Sequence, residues 1–221
     1  MSVVAPLFQR AGPFRTDPAG SFVLGNADTP PTPGRSMIWG KARDQLVAVG
    51  ERLAVAKLVR HSEGNLSLRI DESRFLVTTT GSDLGRLEPT DLVEVNLEAS
   101  AVPPRATSEV HLHLEIYRRR ADVLAIVHAH PPQLLRLDAI GGLPRSRIIE
   151  DRGKMLGRVV SAAHFKEGSL ALAEAAASAL ARANACVLCG HGAVTLGSSV
   201  MQAFVRMLDF ERAASLTPMR I

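Results

Sequence analysis

Two histidines close an apolar run, VLAIVHAH, at positions 128 and 130. Residues two apart on a strand face the same side, with Cα atoms about 7 Å apart. Two imidazoles so placed can converge on one ion at roughly 2.0–2.1 Å each. Two unconnected surface histidines leave the same pattern, and the pair alone favours that plainer reading. A third histidine, His191, stands between Gly190 and Gly192 after the apolar run CVLC. Flanking glycines let a backbone bend and approach a site closely. Three histidines with an open fourth position are the usual pattern of a catalytic zinc site, where the ion polarises a carbonyl.

Glu109 offers a carboxylate to the same chemistry. As the opening residue of a helix over 109–120 it complements the helix dipole. Aimed into a metal site, it would ligate the ion or move a proton. Local sequence leaves both readings open. His113 and Tyr117 follow on the same face at spacings of four and read as satisfied interior groups supporting that helix. His61, His111 and His164 have no partners in sequence that would make them ligands.

Several elements must position these groups. Residues 1–36 are rich in Pro and Gly and show no sustained periodicity, so they read as an arm, loose or laid on a neighbouring subunit. From Ile38 to about Leu58 the apolar spacing predicts an amphipathic helix. GNLSLRI (64–70) and FLVTTT (75–80) form a predicted hairpin, and a polar turn leads to a third strand, LVEVNL (92–97). Ser108 is the expected N-cap of the 109–120 helix. After the VLAIVHAH strand and Pro131-Pro132, PQLLRLDAI is helical and Gly141-Gly142 stops it. GSLALAEAAASALARA is a helix, ACVLCGHGAVTLG a strand pair, and SSVMQAFVRMLDFERAASL a capped closing helix. Alternating helices and strands, with hairpins early, indicate an α/β layered fold around a mixed sheet.

Composition sets the outer bounds. A chain of 221 residues suits one sizeable domain, and 46% hydrophobic with 22% charged residues is ordinary for a globular protein. With one Trp, one Tyr and seven Phe, the core must rest on Leu, Val, Ile and Ala. The net charge of +4 comes from 26 basic residues spread along the chain. The densest cluster, Arg118-Arg119-Arg120, ends a predicted helix, where cations suit the dipole. A small anionic substrate fits this balance without nucleic-acid binding. No stretch approaches the ~20 apolar residues of a membrane span, and the N-terminal residues lack a signal-peptide pattern. Cys186 and Cys189, three apart on a predicted strand, point to opposite faces, so the expectation is a reduced, cytoplasmic protein.

GNLSLR, TTTGSDLGRL, TSEVHLHLEIYRRRADVLAIVHAHPP and GHGAVTLG, in that order, resemble the signatures of the class II aldolase/adducin family. The resemblance runs from about Ser36 to Leu216. It implies a single-domain αβα layered fold over 37–221 with a central mixed, largely antiparallel sheet. It further implies Zn2+ on His128, His130 and His191, with Glu109 as fourth ligand and proton-transfer group. Asn65, Thr80, Gly81, Thr107 and Ser108 match a substrate-phosphate pocket, with Ser82 a neighbour of the same turn. Hydroxyls, a glycine turn and a helix N-terminus suit a dianion.

The activity so implied is aldolase cleavage of a ketose 1-phosphate, of the L-fuculose 1-phosphate kind, to dihydroxyacetone phosphate and an aldehyde through a metal-stabilised enediolate. A cytoplasmic homotetramer with sites at subunit interfaces goes with it. One departure matters. The fuculose enzymes carry a catalytic tyrosine after the HxH strand, whereas LPRSRIIEDRGK has none, and Glu150 or Asp151 would have to replace it. That keeps a methylthioribulose-1-phosphate dehydratase, a pentulose-phosphate epimerase and a keto-acid-phosphate decarboxylase of the same family in view. Glu109 stands where the epimerases carry Asp, which argues against epimerisation. A non-catalytic adducin-like interaction module is the reading from another class, and the intact His and Glu set argues against it.

Overall fold

The computed structural model describes residues 33–144 and 156–218, with side chains from Ile38 onward in the first helix. Glu150 and Asp151, and all but the end of the arm, lie outside the described residues. Helix α1 (Pro33–Val55) starts before the boundary drawn at residue 36. The predicted hairpin forms as β1 (Asn65–Arg69) and β2 (Arg74–Thr78), and β3 (Leu92–Asn96) follows. Next come α2 (Val110–Arg119), β4 (Ala125–Ala129), α3 (Pro132–Asp138) and β5 (Val159–Ala162). The chain then runs through α4 (Leu170–Ala179), β6 (Ala185–Leu188), β7 (Gly192–Gly197) and α5 (Val200–Leu216).

Among the described residues the strands form one sheet in the order β3-β2-β1-β4-β7-β6-β5. The β5–β6 pair is parallel and the others are antiparallel, so the expected mixed, largely antiparallel sheet is present. Strand alternation divides the side chains between two layers. Ala125, Val127 and Ala129 of β4 pack with α1, α3 and α5, while Ile126 packs with α2 and α4. The fold is therefore helix–sheet–helix around a core of Leu, Val, Ile and Ala. No helix of the described residues is long and apolar enough to cross a membrane.

Three local features differ from the expectations. The short strand β5 was not predicted; its four residues, VVSA, carry too little pattern for a strand to be read. The polar turn after β2 buries Leu84 and Leu87 beneath α1, so it is a packed connection. Ser108 does not cap α2. It is exposed, Glu109 occupies the N-cap position, and Thr107 Oγ1 accepts the Glu109 N–H at 3.3 Å. The closing helix is capped as expected, with Ser199 accepting from the Gln202 N–H. Helix α3 is capped from α5: the Glu211 carboxylate accepts from the N–H groups of Gln133 and Leu134 at 2.9 and 3.0 Å. That pins the chain directly after His130. The three arginines ending α2 are spent internally, on Leu97, Ser178, Leu180, Ala183 and Asn184 among others.

A polar seam runs between α2 and β1. His113, fully buried, has Nδ1 2.7 Å from Ser67 Oγ and Nε2 2.6 Å from Asn65 Oδ1. The Tyr117 hydroxyl lies 2.8 Å from Ser67 Oγ and 3.3 Å from the Leu124 carbonyl oxygen. Both side chains are therefore the satisfied interior groups expected from their spacing; an unpartnered buried polar group would cost about 1–3 kcal/mol. Burial pulls the His113 pKa down to about 3.

The unfolded imidazole takes up a proton below about pH 6.5 while the folded one does not, so stability is lost as pH falls from about 6.5 towards 3. This group alone should remove about 2 kcal/mol between pH 7 and pH 5. Urea unfolding of the wild type and of His113→Gln at both pH values checks this. The wild type should lose more stability than the variant by about that amount, and equal losses would contradict it.

Candidate metal centre

Strand register assembles the site. Asn65 on β1 pairs with His128 on β4, and His128 in turn pairs with Val194 on β7. Asn65 and His128 thus stand side by side on the face that α2 covers. Glu109 arrives there from the N-terminal end of α2. His130 follows the last residue of β4, and His191 precedes β7, the adjacent strand. Gly192 makes the convergence sterically possible. A Cβ there would lie 2.6 Å from His130 Cδ2 and 2.7 Å from the Ala129 carbonyl oxygen, both closer than real contacts allow.

The three imidazoles form one triangle, with ring centroids 4.8–5.2 Å apart. Their ligand-type atoms all lie within 4.8 Å of one another. His128 Nε2 and His130 Nε2 are 3.2 Å apart, close to the roughly 3.3 Å that two tetrahedral ligands of one zinc ion would show. His128 donates through Nδ1 to the Ala193 carbonyl oxygen at 3.0 Å, which fixes the ring with its Nε2 aimed into the cluster. Glu109, 3% exposed, places Oε2 2.9 Å from His128 Nε2 and Oε1 3.6 Å from His191 Nε2.

Electrostatics and unmet bonds agree on a cation. Burial opposes the Glu109 charge. The charges of His128 and His191 and the Asn65 N–H nevertheless hold its carboxyl far below the usual range. Burial, with the neighbouring histidine charges, pulls His130 down to about 4 and lowers His191. Burial also opposes a proton on His128, but the Glu109 carboxylate outweighs it and raises that pKa. Lone pairs on His130 and His191 and a fixed negative charge therefore share one small space. Among the described residues, Glu109 Oε1 and both ring nitrogens of His191 are buried without a hydrogen-bond partner. Leaving them so costs about 1–3 kcal/mol each. A divalent cation would take Glu109 Oε1 and one ring nitrogen of His191, so the donor set fits the expected group.

The expected phosphate residues fall into two groups. Loops 79–82 and 105–108 are stitched together by the Thr79–Ala106 bridge, Thr80 N–H to the Arg105 carbonyl oxygen and Thr107 N–H to the Thr78 carbonyl oxygen. That brings Thr80, Gly81, Thr107 and Ser108 to the end of α2 where Glu109 sits. Gly81 takes φ +80°, a turn conformation suited to glycine. Thr80 donates its hydroxyl to the Ala106 carbonyl oxygen, and Ser82 lies 2.7 Å from Thr79 Oγ1. Asn65 belongs to the other group: it is buried, donating one amide N–H to Glu109 Oε2 at 2.9 Å while its oxygen faces His113. The exposed Glu167 was missed in sequence. Its carboxylate lies within 4.8 Å of ligand atoms of Glu109 and His191. Nothing in the local run HFKEGS marks it; only the fold brings it there.

Known proteins carry the same arrangement of chain. L-fuculose phosphate aldolase of Methanocaldococcus jannaschii is 32% identical over 176 residues, covering 79% of this chain and 94% of that one. 3-oxo-tetronate 4-phosphate decarboxylase of Pectobacterium atrosepticum is also 32% identical, over 80% of this chain and 83% of that one. The crystal structure of L-fuculose-1-phosphate aldolase from Thermus thermophilus superposes with a TM-score of 0.72 at 32% identity, covering 80% of this chain and 93% of that one. Residues 44–217 match the family described as Class II Aldolase and Adducin N-terminal domain, so the chain belongs to the class II aldolase/adducin family.

Proposed function

We propose that this protein is a metal-dependent lyase that breaks a carbon–carbon bond next to the carbonyl of a small phosphorylated substrate. Decarboxylation of a phosphorylated 3-oxo acid is the reading supported best. The observation that carries it is the fate of the one tyrosine. Tyr117 is buried against Ser67 and Phe75, eight residues along α2 from Glu109, and no other tyrosine exists in the chain.

The chemistry makes that absence informative. Retro-aldol cleavage requires a base to take the proton from the hydroxyl on the carbon that departs as aldehyde. Loss of CO2 from a 3-oxo acid leaves electrons next to a carbonyl without that deprotonation. His128, His130, His191 and Glu109 would hold the ion, and three imidazoles with a carboxylate suit zinc. Such an ion supplies a Lewis acid that draws negative charge onto the carbonyl oxygen. Glu109 would have one further task, relaying a proton from solvent to the carbon that lost CO2. The loops holding Thr80, Gly81, Thr107 and Ser108, at the N-terminal end of α2, would take the phosphate.

Aldolase cleavage of a ketose 1-phosphate is the second reading. It is favoured by the 32% identity to the M. jannaschii aldolase across 94% of that protein's length. Here Glu150 or Glu167 would have to act as the hydroxyl base.

Two measurements test the proposal. Glu109→Gln should retain the ion on three histidines while lowering kcat by about 10²–10⁴-fold. Normal turnover in that variant would remove Glu109 from proton transfer. A panel of phosphorylated 3-oxo acids, ketose 1-phosphates, ribulose 5-phosphate and methylthioribulose 1-phosphate should give the highest kcat/KM, with CO2 release, on a 3-oxo acid. Preferred release of an aldehyde from a ketose 1-phosphate would establish the second reading instead.

A further inference from the structure

We infer that His113 is a positioning residue: it fixes which way the Asn65 amide faces, and through Asn65 it holds the Glu109 carboxylate in the orientation the metal centre requires. The inference rests on the metal-centre reading above and extends it to a residue that touches neither ion nor substrate.

The direction of the bonds follows from two conditions, an ionised Glu109 and a neutral, buried His113 ring. A carboxylate only accepts, so the Asn65 group 2.9 Å from Glu109 Oε2 must be its N–H. Asn65 Oδ1 therefore faces His113 Nε2 at 2.6 Å, and that nitrogen must carry the proton. A neutral imidazole then has only a lone pair at Nδ1, so Ser67 donates its hydroxyl there at 2.7 Å. With its own proton on His113, Ser67 Oγ is left to accept at 2.8 Å from the Tyr117 hydroxyl, whose proton it shares with the Leu124 carbonyl oxygen at 3.3 Å. The result is one directed chain: Tyr117 to Ser67 to His113, then His113 to Asn65 to Glu109.

The chain is needed because an amide cannot choose its own orientation by shape. The nitrogen and oxygen of Asn65 are nearly the same size, so packing would accept either. With the amide reversed, its oxygen would face Glu109 Oε2 at hydrogen-bond distance, lone pair against negative charge. The Glu109 carboxylate disfavours that reversal from one side, and a donor at His113 Nε2 locks the amide oxygen from the other. The consequence reaches the cluster: Glu109 Oε2 is held by Asn65 and His128, while Oε1 has no hydrogen-bond partner. Every member of the chain is at most 3% exposed, so water cannot substitute for a lost link.

Nitrogen-15 NMR of the histidines in the full, metal-free chain tests the bond directions directly. The expected result is a neutral His113 protonated at Nε2; a proton on Nδ1 alone would overturn the inference. Cobalt(II), added as the probe ion, then reads the centre through its visible absorption bands. His113→Leu should weaken cobalt affinity by roughly tenfold or more and shift those bands. His113→Gln, which restores a donor towards Asn65 and an acceptor towards Ser67, should recover most of both. Wild-type bands and affinity in His113→Leu would overturn the inference. Should the leucine variant fail to fold, Tyr117→Phe keeps the ring and removes only the first donor; the expected outcome is a smaller band shift, and none would count against the chain. Wild-type protein without cobalt bands would count against the metal reading alone, and the tautomer measurement would still decide this one.

Discussion

The site depends on a match of spacing between a helix and a strand. Four residues of α-helix advance about 6.0 Å, and two residues of β-strand advance about 6.8 Å. Glu109, His113 and Tyr117 can therefore meet Asn65, Ser67 and Arg69 in step along their length. The contacts follow that ladder: Asn65 bonds Glu109 and His113, Ser67 lies between His113 and Tyr117, and Arg69 donates to the Tyr117 carbonyl oxygen at 2.7 Å. Arg69 also stacks 4.7 Å from the Tyr117 ring centre. Because Asn65 pairs with His128 across the sheet, fixing α2 on β1 also fixes Glu109 beside His128.

The cluster built on that ladder is costly as a protein interior. It gathers three imidazoles and a carboxylate, with several polar atoms buried and unpartnered. A fold under pressure for stability alone would place apolar groups there, since unsatisfied buried polar atoms outweigh the modest net gain of a hydrogen bond. Groups that break the packing rules together, at one spot, are the physical mark of a functional site. Gly192 adds to this, because a residue with any side chain would drive the histidines apart.

Much of this was legible in the residues. HAH and GHG, with Glu109 four residues before His113, were readable as candidate ligands, and the hairpin, α2 and the capped closing helix carried strong local patterns. The parts that escaped were non-local. Ser108 had the composition of a cap, yet Thr107 carries the hydroxyl bond, a difference of one residue that propensity does not resolve. Strand β5 exists because β6 offers a parallel partner, which four residues cannot announce. Asn65 matched a phosphate pocket by resemblance, and only the sheet register revealed its bonds to Glu109 and His113. Glu167 is brought near His191 by the chain leading into α4, with no motif to mark it. His113 was read correctly as satisfied, but the direction of its bonds, and so its hold on Asn65, needed coordinates.

The central claim is that His128, His130, His191 and Glu109 form one metal-binding centre. X-ray absorption at the metal edge, on full-length protein of known metal content, tests it most directly. The account predicts about one divalent ion per chain, with three imidazole nitrogens at roughly 2.0–2.1 Å and one oxygen donor. Protein that holds no ion and takes up none from added zinc, or an ion shell without imidazole, would contradict it.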